Sequence, residues 1–174
     1  SWIVISHCDL DHVGGNRGMK AAAPQAMLGC GHADLDQVES PNALLNRRYD
    51  AYRERHGVFY DEAVTAWMAD AAGQPQPVEV TFRGGERLRL SSDWQVELIH
   101  TPGHSRGHLA ILDPKNRALY GADAIHGASI PDLAGKAVMP PTYLYVEPYL
   151  DTIRLIENLG LDLLTTCHWP IAGG

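Results

Sequence analysis

No apolar run in this sequence approaches the roughly 20 residues that cross a bilayer, so a membrane-spanning helix is not expected. Basic residues are in deficit: 14 Lys and Arg stand against 21 Asp and Glu, for a formal net charge of −7. That balance disfavours a basic nucleic-acid groove and favours a small-molecule substrate. Cysteine is scarce. Cys8, Cys30 and Cys167 show no metal-like pair spacing, and an odd number cannot pair completely. Buried, reduced thiols in a cytoplasmic protein are the expectation. Internal repeats and low-complexity tracts are absent from the sequence. The 174 residues, 45% hydrophobic and 20% charged, suit one globular domain with a sizeable core. The first residue is Ser1, in front of an apolar strand and with no signal-peptide pattern, so the native start is expected to lie outside this sequence.

What is present alternates between strand and helix patterns. Trp2–Ser6 reads as a buried strand, followed by Gly14-Gly15, a short helix over Arg17–Ala22 and a strand over Gln25–Gly29. A helical insertion is expected at about 35–76. Ser40-Pro41 opens one helix, with Leu45, Tyr49, Tyr52 and His56 at helical spacing and Gly57 to close it. Asp61 caps a second, with Val64, Trp67, Met68 and Ala71 as its apolar face. These two helices suit a lid over a cleft and ordinary packing equally well. From Val78 onward the period becomes that of strands, over Val78–Phe82, Arg87–Leu90, Trp94–His100, His108–Leu112 and Arg117–Gly121. A loop at Ile130–Pro141, a helix over Tyr149–Leu159 with Leu150, Ile153, Ile156 and Leu159 inward, and a last strand over Leu161–Thr166 complete the pattern.

Histidine is the informative count: nine occur, six of them in or beside three short clusters. Each cluster of imidazoles or carboxylates lies just past an expected strand. His7-Cys8-Asp9-Leu10-Asp11-His12 follows the first, His104 follows Trp94–His100, Asp123 follows Arg117–Gly121, and His168 follows Leu161–Thr166. Loops at strand ends are where a rigid sheet gathers side chains from distant parts of a chain. Neutral imidazole and carboxylate are the ligands of zinc, iron and manganese.

His7-Cys8-Asp9-Leu10-Asp11-His12-Val13-Gly14-Gly15 resembles the His-x-His-x-Asp-His signature of metallo-β-lactamase-fold hydrolases. Thr101-Pro102-Gly103-His104-Ser105-Arg106-Gly107-His108 is similar to their Thr-Pro-Gly-His-Thr-x-Gly-His segment, Gly121-Ala122-Asp123 to their Gly-Asp, and Cys167-His168 to their final histidine. The motifs stand in the family's order over nearly the whole chain. The resemblance implies an α/β (α+β) fold, the αββα metallo-β-lactamase sandwich, truncated here at the N-terminus and the C-terminus, with 1–174 as one partial domain. Exposed sheet edges are then liable to pair with another chain, and a homo-oligomer is expected.

Carried over residue by residue, the resemblance implies two divalent metal ions, zinc first and iron or manganese as alternatives. His7, Asp9 and His104 would bind the first metal, and Asp11, His12 and His168 the second, with Asp123 bridging. Asp9 departs from the family's usual histidine, and a carboxylate there makes the first site harder and more negative. His108 matches a family histidine with a structural hydrogen bond. The implied activity is hydrolysis of a thioester, lactone or ester in a small molecule by a metal-bridging hydroxide, in a glyoxalase II-like or lactonase-like manner. Asp11 would orient the nucleophile's proton. His126, three residues past Asp123, would protonate a leaving group or stand by as a loop histidine. Tyr143 and Tyr145 are substrate contacts or packing residues. Arg47, Arg48, Arg53 and Arg55, interspersed with Asp50 and Glu54, read as a solvated face. A diiron oxidoreductase of the same fold and a catalytically silent binding protein are the competing readings.

Overall fold

The computed structural model describes residues 1–132, 134–169 and 172–173. Its chain divides into two compact units, Ser1–Thr81 and Phe82–Gly174. In the first, β1 (Trp2–Ile5) runs parallel to β2 (Met27–Gly31), with Ile5 opposite Cys30. The third strand, β3 (Val80–Phe82), ends at the unit boundary and completes the order β1-β2-β3. A parallel pair needs a crossover, and α1 (Leu10–Val13) and α2 (Asn16–Ala22) lie within it.

The motif itself starts α1. Asp9 is its N-cap, in extended backbone, and Asp9 Oδ1 accepts the Leu10 N–H at 3.2 Å. Gly14 has ordinary helical dihedrals, so its role is not a left-handed turn. A Cβ there would lie 2.1 Å from the carbonyl oxygen of Ala71. Close backbone approach is what excludes a side chain.

The helix expected from Ser40 to His56 is broken. A 3₁₀ turn (His32–Asp34) leads into α3 (Leu35–Glu39), then α4 (Pro41–Leu44), a π-helical turn (Leu45–Tyr49) and α5 (Arg53–His56). Pro41 disfavours helical backbone at Ser40, which is extended and caps α4 through the Ala43 N–H. Gly57 closes α5 at φ +66°, as expected. In α6 (Glu62–Ala71), Asp61 caps through the Val64 N–H. Its apolar face is narrower than the pattern suggests: Met68 is buried and Trp67 is 64% exposed. Met68 joins Ile5, Leu10, Val13, Leu28, Val38 and Leu44 in the core of this unit.

In the second unit β4 (Arg87–Arg89), β5 (Gln95–His100), β6 (Leu109–Asp113) and β7 (Ala118–Tyr120) form an antiparallel meander. A small hairpin, β8 (Ile130–Pro131) and β9 (Ala137–Met139), lies where a plain loop was expected. After α7 (Val146–Glu157), β10 (Leu163–Thr165) pairs parallel to β7, and β11 (Ala172–Gly173) pairs antiparallel to β10. The six-stranded order is β11-β10-β7-β6-β5-β4. Helix α7 begins three residues earlier than expected, because Pro148 falls in the first turn, where a missing N–H costs nothing. Tyr149, Thr152 and Ile156 face inward, whereas Leu150 points out. Ala110, Leu119, Ala124 and Ile156 form the adjoining core.

Candidate metal centre

The first unit gathers His7, Asp9, Asp11 and His12 at the end of β1 and the start of α1. The His7 and His12 rings lie 4.0 Å apart between centroids. Ser6 Oγ stands 3.0 Å from His7 Nδ1 and 3.3 Å from His12 Nδ1. One hydroxyl thus fixes the inner nitrogen of both imidazoles, as is usual for metal-binding histidines. His12 Nε2 is 3.4 Å from Asp11 Oδ2, whose side chain is the exposed one of the four.

Asp9 is engaged in a different way. Its Oδ2 lies 2.7 Å from Arg48 Nη2. Arg48 is 8% exposed, so the expectation of a solvated arginine face fails at this residue. It sits on the π-helical turn, drawn inward by the Asp9 carboxylate. Burial works against the guanidinium charge, and the Asp9 carboxylate outweighs it, holding Arg48 above its ordinary pKa. Cys8, between the candidate ligands, is a buried thiol. Burial first and nearby Asp34 second push its pKa well above the ordinary range, and the Cys8 N–H donates to Asp34 Oδ2. Ser6, Asp34 and Arg48 were not legible as partners of the motif, since their contacts depend on the fold.

The second unit supplies His104, Asp123, His126 and His168. His104 lies on the Thr101–His108 loop between β5 and β6, whose ends are registered by His100 opposite Leu109. His104 Nδ1 donates to the Thr142 carbonyl, which directs Nε2 to the other side of the ring. That Nε2 lies 3.8 Å from Asp123 Oδ2, and His168 Nε2 lies 3.4 Å from the same oxygen. Asp123 is buried, at 2% exposed, past the end of β7. One buried carboxylate oxygen thus has two imidazole nitrogens within 4 Å. Ligand atoms of His104, Asp123 and His126 all lie within 4.8 Å of one another. These nitrogen and oxygen donors, with the outward nitrogen of His104 tied to a carbonyl, fit divalent zinc, iron or manganese.

His108 is a structural histidine, as the sequence suggests. It is fully buried, with Nδ1 2.8 Å from Thr101 Oγ1. Its Nε2 accepts the Asp123 backbone N–H at 3.2 Å. The ring therefore ties the end of β7 to the end of β5. Tyr143 and Tyr149 stack at 4.7 Å, and Tyr145 lies under the Arg106 guanidinium.

The sequence pattern of the metallo-beta-lactamase superfamily matches residues 1–168, and the chain belongs to that superfamily. Its mixed helix-and-sheet architecture agrees with that α/β fold. A metallo-beta-lactamase superfamily protein from the archaeon Sulfolobus tokodaii aligns over 99% of this chain and 63% of its own, at 17% identity and a TM-score of 0.66. The B3 metallo-beta-lactamase BLEG-1 aligns over 99% of this chain and 71% of its own, at 16% identity and a TM-score of 0.66. TTHA1623, solved in a di-iron-bound form, aligns over 99% and 71%, at 22% identity and a TM-score of 0.62. The chain thus spans 63% of the length of the archaeal protein. A search of curated proteins returns no match. Among the described residues no helix is long and apolar enough to cross a membrane.

Proposed function

We propose that this chain is the metal-binding part of a hydrolase that cleaves an ester-type bond (thioester, lactone or ester) in a small molecule. The observation that carries the reading is Asp123, a buried carboxylate whose Oδ2 has His104 and His168 nitrogens at 3.8 and 3.4 Å. This supports His104, Asp123 and His168 as metal ligands within the second unit, and the superfamily motif supports His7, Asp11 and His12 as metal ligands within the first, with divalent zinc before iron or manganese. Asp9 was expected among them, and it also serves α1 and Arg48.

When bound, such cations acidify a water and polarise a carbonyl. Hydrolysis then joins the water oxygen to the acyl carbon, breaks the acyl–oxygen or acyl–sulfur bond, and returns a proton to the leaving group. Asp11, exposed beside His12, holds the nucleophile's proton in this reading. Ser6 and the Thr142 carbonyl keep three imidazoles in fixed orientation, so little reorganisation is left for the reaction itself.

Elemental analysis of the purified protein, together with turnover of a panel of thioesters, lactones and aryl esters, tests the reading. Two metal equivalents and hydrolysis abolished by Asp123→Ala are expected. Absence of metal after loading, or full hydrolysis by Asp123→Ala, would overturn it. The second reading, a diiron oxidoreductase, is favoured by the carboxylate at position 9 and by the likeness to a di-iron protein. Two equivalents of iron with oxygen or nitric oxide consumption would select it.

A further inference from the structure

We propose that His126 is itself a metal ligand, forming with His104 and Asp123 a three-donor position inside the second unit. This rests on the reading above that the protein binds metal. Donor atoms of the three residues lie within 4.8 Å of one another, and His104 Nε2 and Asp123 Oδ2 are already 3.8 Å apart. Around a tetrahedral cation with bonds of about 2.0–2.1 Å, donors sit roughly 3.3 Å apart. A modest contraction onto the ion therefore closes the set. The His104 and His126 rings are 4.8 Å apart and inclined at 67°, an edge-to-face rather than a stacked arrangement. Both ring nitrogens of His126 are shielded from solvent.

The loop that carries His126 is fixed from several directions, which preorganises the ring. The His126 backbone N–H donates to the Tyr149 hydroxyl at 3.0 Å. The Trp169 indole lies 5.2 Å from the ring, and Trp169 Nε1 donates to the Ser129 carbonyl at 2.7 Å. Gly127 makes room for that indole: a Cβ there would stand 2.4 Å from Nε1.

Two imidazoles and one carboxylate make a three-ligand set that leaves a coordination position open for water or substrate. Two nitrogen donors to one oxygen give this position a preference for zinc over harder cations. A coordinated ring is held neutral and keeps only its other N–H, too weak an acid to protonate a leaving group, so this task and the acid role expected from the sequence exclude one another.

The test is cobalt(II) and zinc binding to metal-free wild type, His126→Ala and His126→Asn. Loss of a direct ligand should weaken one equivalent by more than the roughly 10–100-fold that follows loss of an orienting partner. It should also shift and change the intensity of the cobalt ligand-field bands. Unchanged bands and affinity in the variants overturn the proposal. Should neither variant fold, NMR of 15N-histidine-labelled wild type replaces them. A large shift of one His126 ring nitrogen on zinc loading is then expected, and a His126 signal unmoved by zinc overturns the assignment. Wild type that takes up no metal defeats the hydrolase reading as well. Wild type with two equivalents and unaltered variants defeats this inference alone.

Discussion

Replacing His108 by alanine probes the scaffold without removing a proposed ligand. The buried ring accepts the Asp123 N–H at 3.2 Å and lies 2.8 Å from the Thr101 hydroxyl. Its removal takes a buried partner from each. A buried donor or acceptor left without its partner costs about 1–3 kcal/mol, so the pair gives about 2–6 kcal/mol. For a chain of this size 1 kcal/mol shifts the midpoint by about 2–4 °C, and the expected drop is about 4–24 °C. The measurement is thermal and urea unfolding of the metal-free protein, which keeps ligand linkage out of the comparison. Metal titration follows. Because the ring steadies the backbone of Asp123, affinity should fall by about 10–100-fold, as for other orienting partners, with stoichiometry kept at saturation. A metal-free variant that melts within a degree of wild type refutes the structural role. A variant that loses one equivalent even at saturation shows instead that His108 is a ligand.

Three further outcomes are expected. Arg48→Met leaves the Asp9 carboxylate without its buried guanidinium; since the Asp9 side chain is 17% exposed, the loss should fall toward the lower end of the about 3–5 kcal/mol typical of a broken buried pair. Adding Asp9→Asn to that variant should recover part of the loss in urea unfolding, and no recovery would show that the pair is not coupled. Gly103 adopts φ +145°, and a Cβ there would stand 2.6 Å from Tyr149 Cβ. Gly103→Ala should therefore cost more than the about 1–3 kcal/mol of the backbone alone, read as a lower melting midpoint, and an unchanged midpoint would contradict this geometry. Among the thiols, burial and then Asp34 and Glu39 push Cys30 up to about 12, and Cys8 is raised as well. Iodoacetamide at pH 8 should label exposed Cys167 and spare the other two. Raised native pKa values also mean stability that is complete below the unfolded thiol value, about 8.5, and declines as pH rises through the native values. Equal labelling of all three folded thiols would refute the burial.

The features visible in the sequence were the local ones. Period-two runs located β5, β6 and β7, and the strand ends carry His104 and Asp123 as the pattern implied. Asp61 and Gly57, whose capping chemistry is confined to neighbouring residues, were legible too. Features set by distant contacts were hidden. Arg48 belongs by spacing with its exposed neighbours, and only the fold gives it Asp9 across 39 positions. Ser6 looks like the polar end of a strand until two imidazoles turn toward it. By helical spacing Leu150 falls on the inward face of α7, yet Tyr149 takes that place because its hydroxyl accepts from His126 and its Cα abuts Gly103. The π-helical turn at Leu45–Tyr49 has no sequence signature comparable to a cap.

Helix α7 has a consequence for how this half of the molecule loosens. Thr152 Oγ1 donates to the Pro102 carbonyl at 2.7 Å, the Leu144 and Tyr145 N–H groups donate to the Gly103 carbonyl, and Tyr149 receives the His126 N–H. A single clasp therefore closes over two separate stretches of chain, one bearing His104 and the other Asp123 and His126. Neither stretch can fray while the clasp is shut, and both are released when it lifts. Their backbone amides should then exchange with solvent in one concerted opening, at a common free energy, rather than as two independent loops.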